Sequence, residues 1–205
     1  MNLRSTKTLC AAVAFALALP ASAVLAAPQQ MSDRDQVWQF THQSLTGVVQ
    51  AVRAATAKYQ DVGAAMHDGY GLDIGGCVSN QDEGAMGVHY VNPAYLFDGA
   101  VDVAHPEVLV YEPMRSGGLH LVAVEYLTFA EPAPGLGWDP NHPADQYGIK
   151  EPPKLMGQLF DYVGEPNRFR LPAIYNLHVW AWKYNPKGVF SMWNPRVSCA
   201  DYTES

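Results

Sequence analysis

The spacing of apolar residues changes once along this chain, from a helical period to a strand-like one. Trp38, Leu45, Val48, Val49, Val52, Ala55 and Tyr59 recur mostly three and four positions apart, the stripe of an amphipathic helix. Ser32-Asp33-Arg34-Asp35 just before them supplies an N-cap and first-turn acids, so a helix is predicted from there to about Tyr59. A short helix, Val62 to His67, follows and is stopped by Asp68-Gly69; His42 and His67 read as surface or capping residues of this region. From Gly75 onward the runs 85–92, 107–112, 119–129 and 174–184 are rich in Val, Leu, Tyr and Trp and read as strands. Pro113 to Gly118 is a hairpin connection, and Asn185-Pro186-Lys187-Gly188 is a turn before a short strand at Val189 to Trp193. Leu155 to Tyr162 is read as one or two helical turns. The segment 130–155, dense in proline and glycine yet carrying Trp138 and Tyr147, reads as a long ordered loop or lid. With no internal repeat, the pattern predicts an α+β fold: N-terminal helices packed on an antiparallel, strongly twisted or barrel-like sheet.

The first residues carry a different signal. Arg4 and Lys7 precede an apolar stretch from Leu9 to about Leu19, and small residues follow through Ala23, Ala26 and Ala27. That is the layout of a secretory signal peptide, with cleavage after Ala23 or Ala26. Residues 1–26 are therefore expected to be a leader and 27–205 a single domain, periplasmic or secreted. No later run approaches the roughly 20 apolar residues a membrane span needs. Removing the leader takes away two basic residues and no acids, leaving 11 basic and 20 acidic residues and a net charge of −9. Such a balance argues against nucleic acid and anionic membrane surfaces as partners and is compatible with a cationic ligand such as a metal ion or a neutral small molecule. Oligomeric state has no signature in the chain. Cys77 and Cys199 survive the cleavage, and in an oxidising compartment they are expected to form one disulfide; two thiolate metal ligands are the alternative.

The candidate chemistry lies in the strand runs. His89, His178, Glu112 and Glu125 are each embedded among apolar neighbours, where imidazoles need partners and carboxylates must be paired, hydrogen-bonded or coordinated. If 85–92 and 107–112 pair antiparallel with Asn92 near Glu107, His89 lies opposite Val110 with Glu112 as its diagonal neighbour on the same face. A symmetric hairpin would pair Glu112 with Leu119, Val110 with Leu121 and Val108 with Ala123. Glu125 then falls on the order of 20 Å from Glu112, so at most one glutamate joins His89 unless a bulge or barrel closure intervenes. Two imidazoles with a carboxylate suit a divalent ion such as zinc, copper, iron or manganese, and an open position would make the site catalytic by metal-assisted hydrolysis or oxidation. None of these residues shows H-x-H or H-E-x-x-H spacing. Arg168 and Arg170 offer cations either to a carboxylate ligand or to neighbouring acids. The competing class is a non-catalytic binding or structural protein whose aromatic residues line an apolar pocket and whose histidines are structural.

Five stretches have distinctive wording: 84–93 (GAMGVHYVNP), 106–113 (PEVLVYEP), 121–126 (LVAVEY), 177–182 (LHVWAW) and 193–199 (WNPRVSC). They resemble a group of secreted bacterial proteins of uncharacterised activity. The resemblance implies export and a single domain, and brings no chemistry with it.

Overall fold

The computed structural model describes residues 33–130 and 151–203. Helix α1 (Asp33–Thr56) runs into a 3-10 turn (Ala57–Gln60) and then α2 (Val62–His67). Asp61 separates the last two by accepting the Gly63 N–H at 2.9 Å, an N-cap that satisfies one of the free donors of α2. The chain continues through β1 (Leu72–Asn80), β2 (Gly84–Val91), the one-turn α3 (Pro93–Leu96), β3 (Val108–Pro113) and β4 (Leu119–Phe129). A small hairpin of β5 (Lys154–Leu155) and β6 (Gln158–Leu159) precedes β7 (Asp161–Val163) and β8 (Ile174–Val179). Six strands form one antiparallel, strongly curled half-barrel in the order β1-β2-β3-β4-β8-β7, the α+β architecture expected from the sequence.

Alternation along the strands separates two apolar cores. Leu109, Tyr111, Leu121, Val124, Tyr126, Leu177 and Val179 face the helices, where they meet Val48, Val52, Tyr59, Ala65 and Tyr70. Tyrosines deep in that layer keep their hydroxyls bonded: Tyr111 donates to the Tyr59 carbonyl at 2.8 Å and Tyr70 to the Pro106 carbonyl at 2.7 Å. The opposite face presents Val108, Val110, Val122, Ala123, Leu127 and Ile174 to Leu96, Trp180 and Val197. The segment from Asn194 to Tyr202 closes this second core. It is held by the Ala85–Asn194 bridge and by the Cys77–Cys199 disulfide, whose Cα atoms are 5.7 Å apart. Among the described residues, no helix is long and apolar enough to cross a membrane.

Four local readings need correction. Strand β1 escapes the pattern because it is a half-exposed edge with a bulge at Gly75-Gly76, both at positive φ, so its apolar alternation is broken. Residues 155–162 are extended rather than helical: Met156 (φ 49) and Gly157 (φ 79) form a two-residue left-handed turn that joins β5 to β6. Strand β8 stops at Val179 rather than running to 184, because the Ala181 N–H bonds back to the Val179 carbonyl at 2.8 Å. Val189 to Trp193 is a series of turns, with Trp180 N–H bonded to the Val189 carbonyl at 2.9 Å. The leader 1–26 and residues 131–150 of the expected lid lie outside the described residues.

Candidate metal centre

The register of four strands builds the site. His89 on β2 lies opposite Val110 on β3, as the sequence predicts, and the Asn92 N–H bonds to the Glu107 carbonyl at 2.9 Å. Across β3 and β4 the pairing departs from a symmetric hairpin. Pro113 pairs with Leu119, Glu112 with His120 and Tyr111 with Leu121; then a bulge intervenes, and Val110 pairs with Ala123 and Val108 with Glu125. Val122 and Ala123 both belong to the second core, the signature of an extra residue inserted on β4. The bulge draws Glu125 back towards the level of His89. Because Val110 and Ala123 are short, the longer His89 and Glu125 side chains reach towards each other over them. On the far side Glu125 pairs directly with His178 of β8.

His89, Glu125 and His178 thus meet on one face, 0 %, 2 % and 3 % exposed. Each offers one ligand atom, and the three atoms all lie within 4.8 Å of one another. His89 Nε2 is 3.8 Å from Glu125 Oε2, and His178 Nδ1 is 3.7 Å from Glu125 Oε1. Both separations exceed a hydrogen bond. Among the described residues, His89 Nδ1, His89 Nε2 and His178 Nε2 are buried without a hydrogen-bond partner. The Asn176 side-chain amide donates to Glu125 Oε1 at 2.8 Å and orients the carboxyl group. Burial, then the nearness of His178 and lastly of the Arg168 guanidinium, pushes the His89 pKa down to about 3, so its imidazole is neutral at neutral pH. The Gly87 backbone beside the ring pulls in the other direction.

Glu112 is not part of this group. It shares the face of His89 but sits four residues along β3 from the position opposite Glu125, about 13 Å at strand rise. There it is tied up: Lys183 Nζ lies 2.5 Å from its Oε2 and the Ser198 N–H 3.1 Å from its Oε1. The diagonal pairing of His89 with Glu112 fails because the C-terminal segment brings a cation and a backbone donor to that carboxylate. Of the two glutamates, the one that simple hairpin geometry disfavours joins the histidines.

Two rings enclose the group. Trp180 stacks on His178 with centroids 6.1 Å apart and planes 16° apart. Phe169, from residues 164–173 between β7 and β8, lies 5.3 Å from the His89 ring. Nothing in the sequence flags Phe169, since it sits in a polar stretch with no period. Asn176 is legible as a residue on the face of His178, although its bond to Glu125 is not.

A third buried acid stands apart from Glu112 and Glu125. Glu107 is 1 % exposed, accepts the Leu127 N–H at 2.9 Å through Oε2, and is pushed up to about 8, chiefly by burial. A carboxyl whose folded pKa is raised favours the folded state while protonated. Stability is therefore expected to fall as pH rises from about 4.5, its unfolded value, to about 8, and then to level off. Glu107→Gln should flatten that slope in urea midpoints taken between roughly pH 5 and 9. Parallel slopes in the two proteins would show that burial of this carboxyl does not control the response.

Compared with protein-family models, curated proteins and solved structures, the chain matches none.

Proposed function

We propose that the protein is an exported metal-binding protein that holds one divalent first-row transition ion through His89, Glu125 and His178. The observation that carries this reading is the buried group itself: one donor atom from each of two imidazoles and one carboxyl lies within 4.8 Å of the other two, and His89 Nε2, which faces the carboxyl, has no hydrogen-bond partner among the described residues. A polar core serving only the fold would bring these groups to hydrogen-bond distance, because an unsatisfied buried polar atom costs about 1–3 kcal/mol. A first-row ion bound at about 2.0–2.2 Å instead asks for neighbouring donors about 3.0–3.6 Å apart. The 3.8 and 3.7 Å separations run to the two different oxygens of Glu125 and the three donor atoms lie within 4.8 Å of one another, so a bound ion would draw all three groups inward. Two imidazoles and one carboxylate are a borderline set that suits zinc, iron, manganese or copper. Three protein donors leave a position for water or a substrate oxygen, and a bound ion would act there as a Lewis acid in hydrolysis or oxidation. Export is supported by the leader pattern of residues 1–26 and by the Cys77–Cys199 disulfide.

Protein purified without an affinity tag should contain one equivalent of a transition metal by elemental analysis. After chelation, re-addition of that metal at about 1,000 times its Kd should raise stability by about 4 kcal/mol. A preparation that carries no metal, and whose melting none of the four ions shifts, would return the histidines to a structural role. The reading would then be the non-catalytic binding protein.

A further inference from the structure

The way into the centre carries its own chemistry. At the β1 bulge Tyr202 covers Gly76, while the Phe169 ring packs over Gly75, where a Cβ would lie 3.7 Å from it. The same ring rests on His89. The ring also lines a cavity of about 260 Å³, together with Gly75, Cys77, Val78, Ser79 and Arg168. Half-buried Phe169 thus belongs both to that cavity and to the surroundings of His89, one of the three residues of the proposed centre. Arg168 is the one charged residue of the wall. Its guanidinium lies over the Trp193 ring at 4.9 Å, and among the described residues it has no carboxylate partner. Stacking fixes the plane of the group and leaves its N–H edge for a ligand.

Charge selects the ligand class. A divalent ion held by one carboxylate and two neutral imidazoles keeps a net charge of about +1 inside a buried site, which favours an anionic ligand there. A guanidinium at the mouth favours the same class and presents paired donors that fit a carboxylate or similar oxyanion. We propose that this cavity admits a small carboxylate-bearing ligand, met by Arg168 at the mouth and bound at the open metal position once Phe169 turns away from His89. The proposal rests on the metal reading above and adds to it a substrate class and a path.

Cobalt(II)-loaded protein lets the two be tested separately, because its visible absorption reports both loading and added ligands. Formate and azide are expected to change the spectrum saturably, whereas formamide, the neutral counterpart of formate, should not. Arg168→Met should weaken formate binding roughly tenfold and blunt its salt dependence, with Arg168→Lys in between. Phe169→Ala should speed the formate response severalfold in stopped-flow mixing. Failure to take up one equivalent of cobalt would overturn the metal reading itself. Cobalt uptake with no response to either anion, or with equal formate affinity in wild type and Arg168→Met, would overturn the anion path alone. An unchanged rate in Phe169→Ala would remove Phe169 from that path.

Discussion

Glu125→Gln should abolish metal binding without weakening the metal-free fold, a pair of effects that a purely structural glutamate cannot produce. The glutamine keeps the shape and an oxygen to accept the Asn176 amide that now bonds to Oε1 at 2.8 Å. It loses the charge, which is the strongest donor of the three to a divalent ion. Metal affinity is expected to fall by on the order of 10³-fold or more, since losing supporting residues around a metal already costs about 10–100-fold. In the metal-free state the balance runs the other way. Glu125 is 2 % exposed, and no Lys or Arg is paired with it among the described residues, so a neutral group there is at least as well tolerated. Melting curves with and without metal should therefore cross: the variant no less stable than wild type without the ion, and less stable by about 4 kcal/mol with it at about 1,000 times the wild-type Kd. A variant that loses about 2 kcal/mol or more without metal, while the ion shifts neither protein, would place Glu125 in a structural network.

Removing the disulfide is the second large effect. Cys77→Ala/Cys199→Ala frees a loop with a sequence separation of 122, for which the chain-entropy estimate is about 4–5 kcal/mol. For a domain of this size that corresponds to a fall in Tm of roughly 10–15 °C. The bridge also pins the segment that closes the second core, where Val197 is buried, the Ser198 N–H meets Glu112, and Tyr202 packs against Gly76. The loss should therefore include faster hydrogen exchange in β2 around His89, beneath that cover. A decrease below about 1 kcal/mol, with exchange in β2 unchanged, would show that packing alone holds the C-terminal segment in place.

Local pattern carried much of the fold. The stripe from Trp38 to Tyr59 and the Asp68-Gly69 stop mark the helices, because a helix that buries one face must repeat at its own period. The runs around His89, Val110, Glu125 and His178 mark four strands for the same reason, with a period of two. Where burial was partial or backbone geometry ruled, the pattern was mute. The edge strand β1 and the left-handed turn at Met156-Gly157 both went unread, since neither is held by a continuous apolar face.

The four chemical candidates divide along the same line. That His89, His178, Glu112 and Glu125 are buried polar residues in strands follows from their neighbours alone, and so does the facing of His89 and Val110. Which glutamate meets the histidines does not. A hairpin that closes one residue off the symmetric register and one extra residue on β4 together set Glu125 opposite Val108, β8 brought His178 beside it, and Lys183 and Ser198 claimed Glu112. A bulge shifts every later pairing on its strand, and on β4, apolar on both faces, the inverted alternation leaves no mark in the sequence, so register is a property of the packed sheet. The sequence by itself determined which residues would be buried and in what kind of element. The tertiary structure alone decided which of them touch, because contact across strands depends on summed offsets that no single strand encodes.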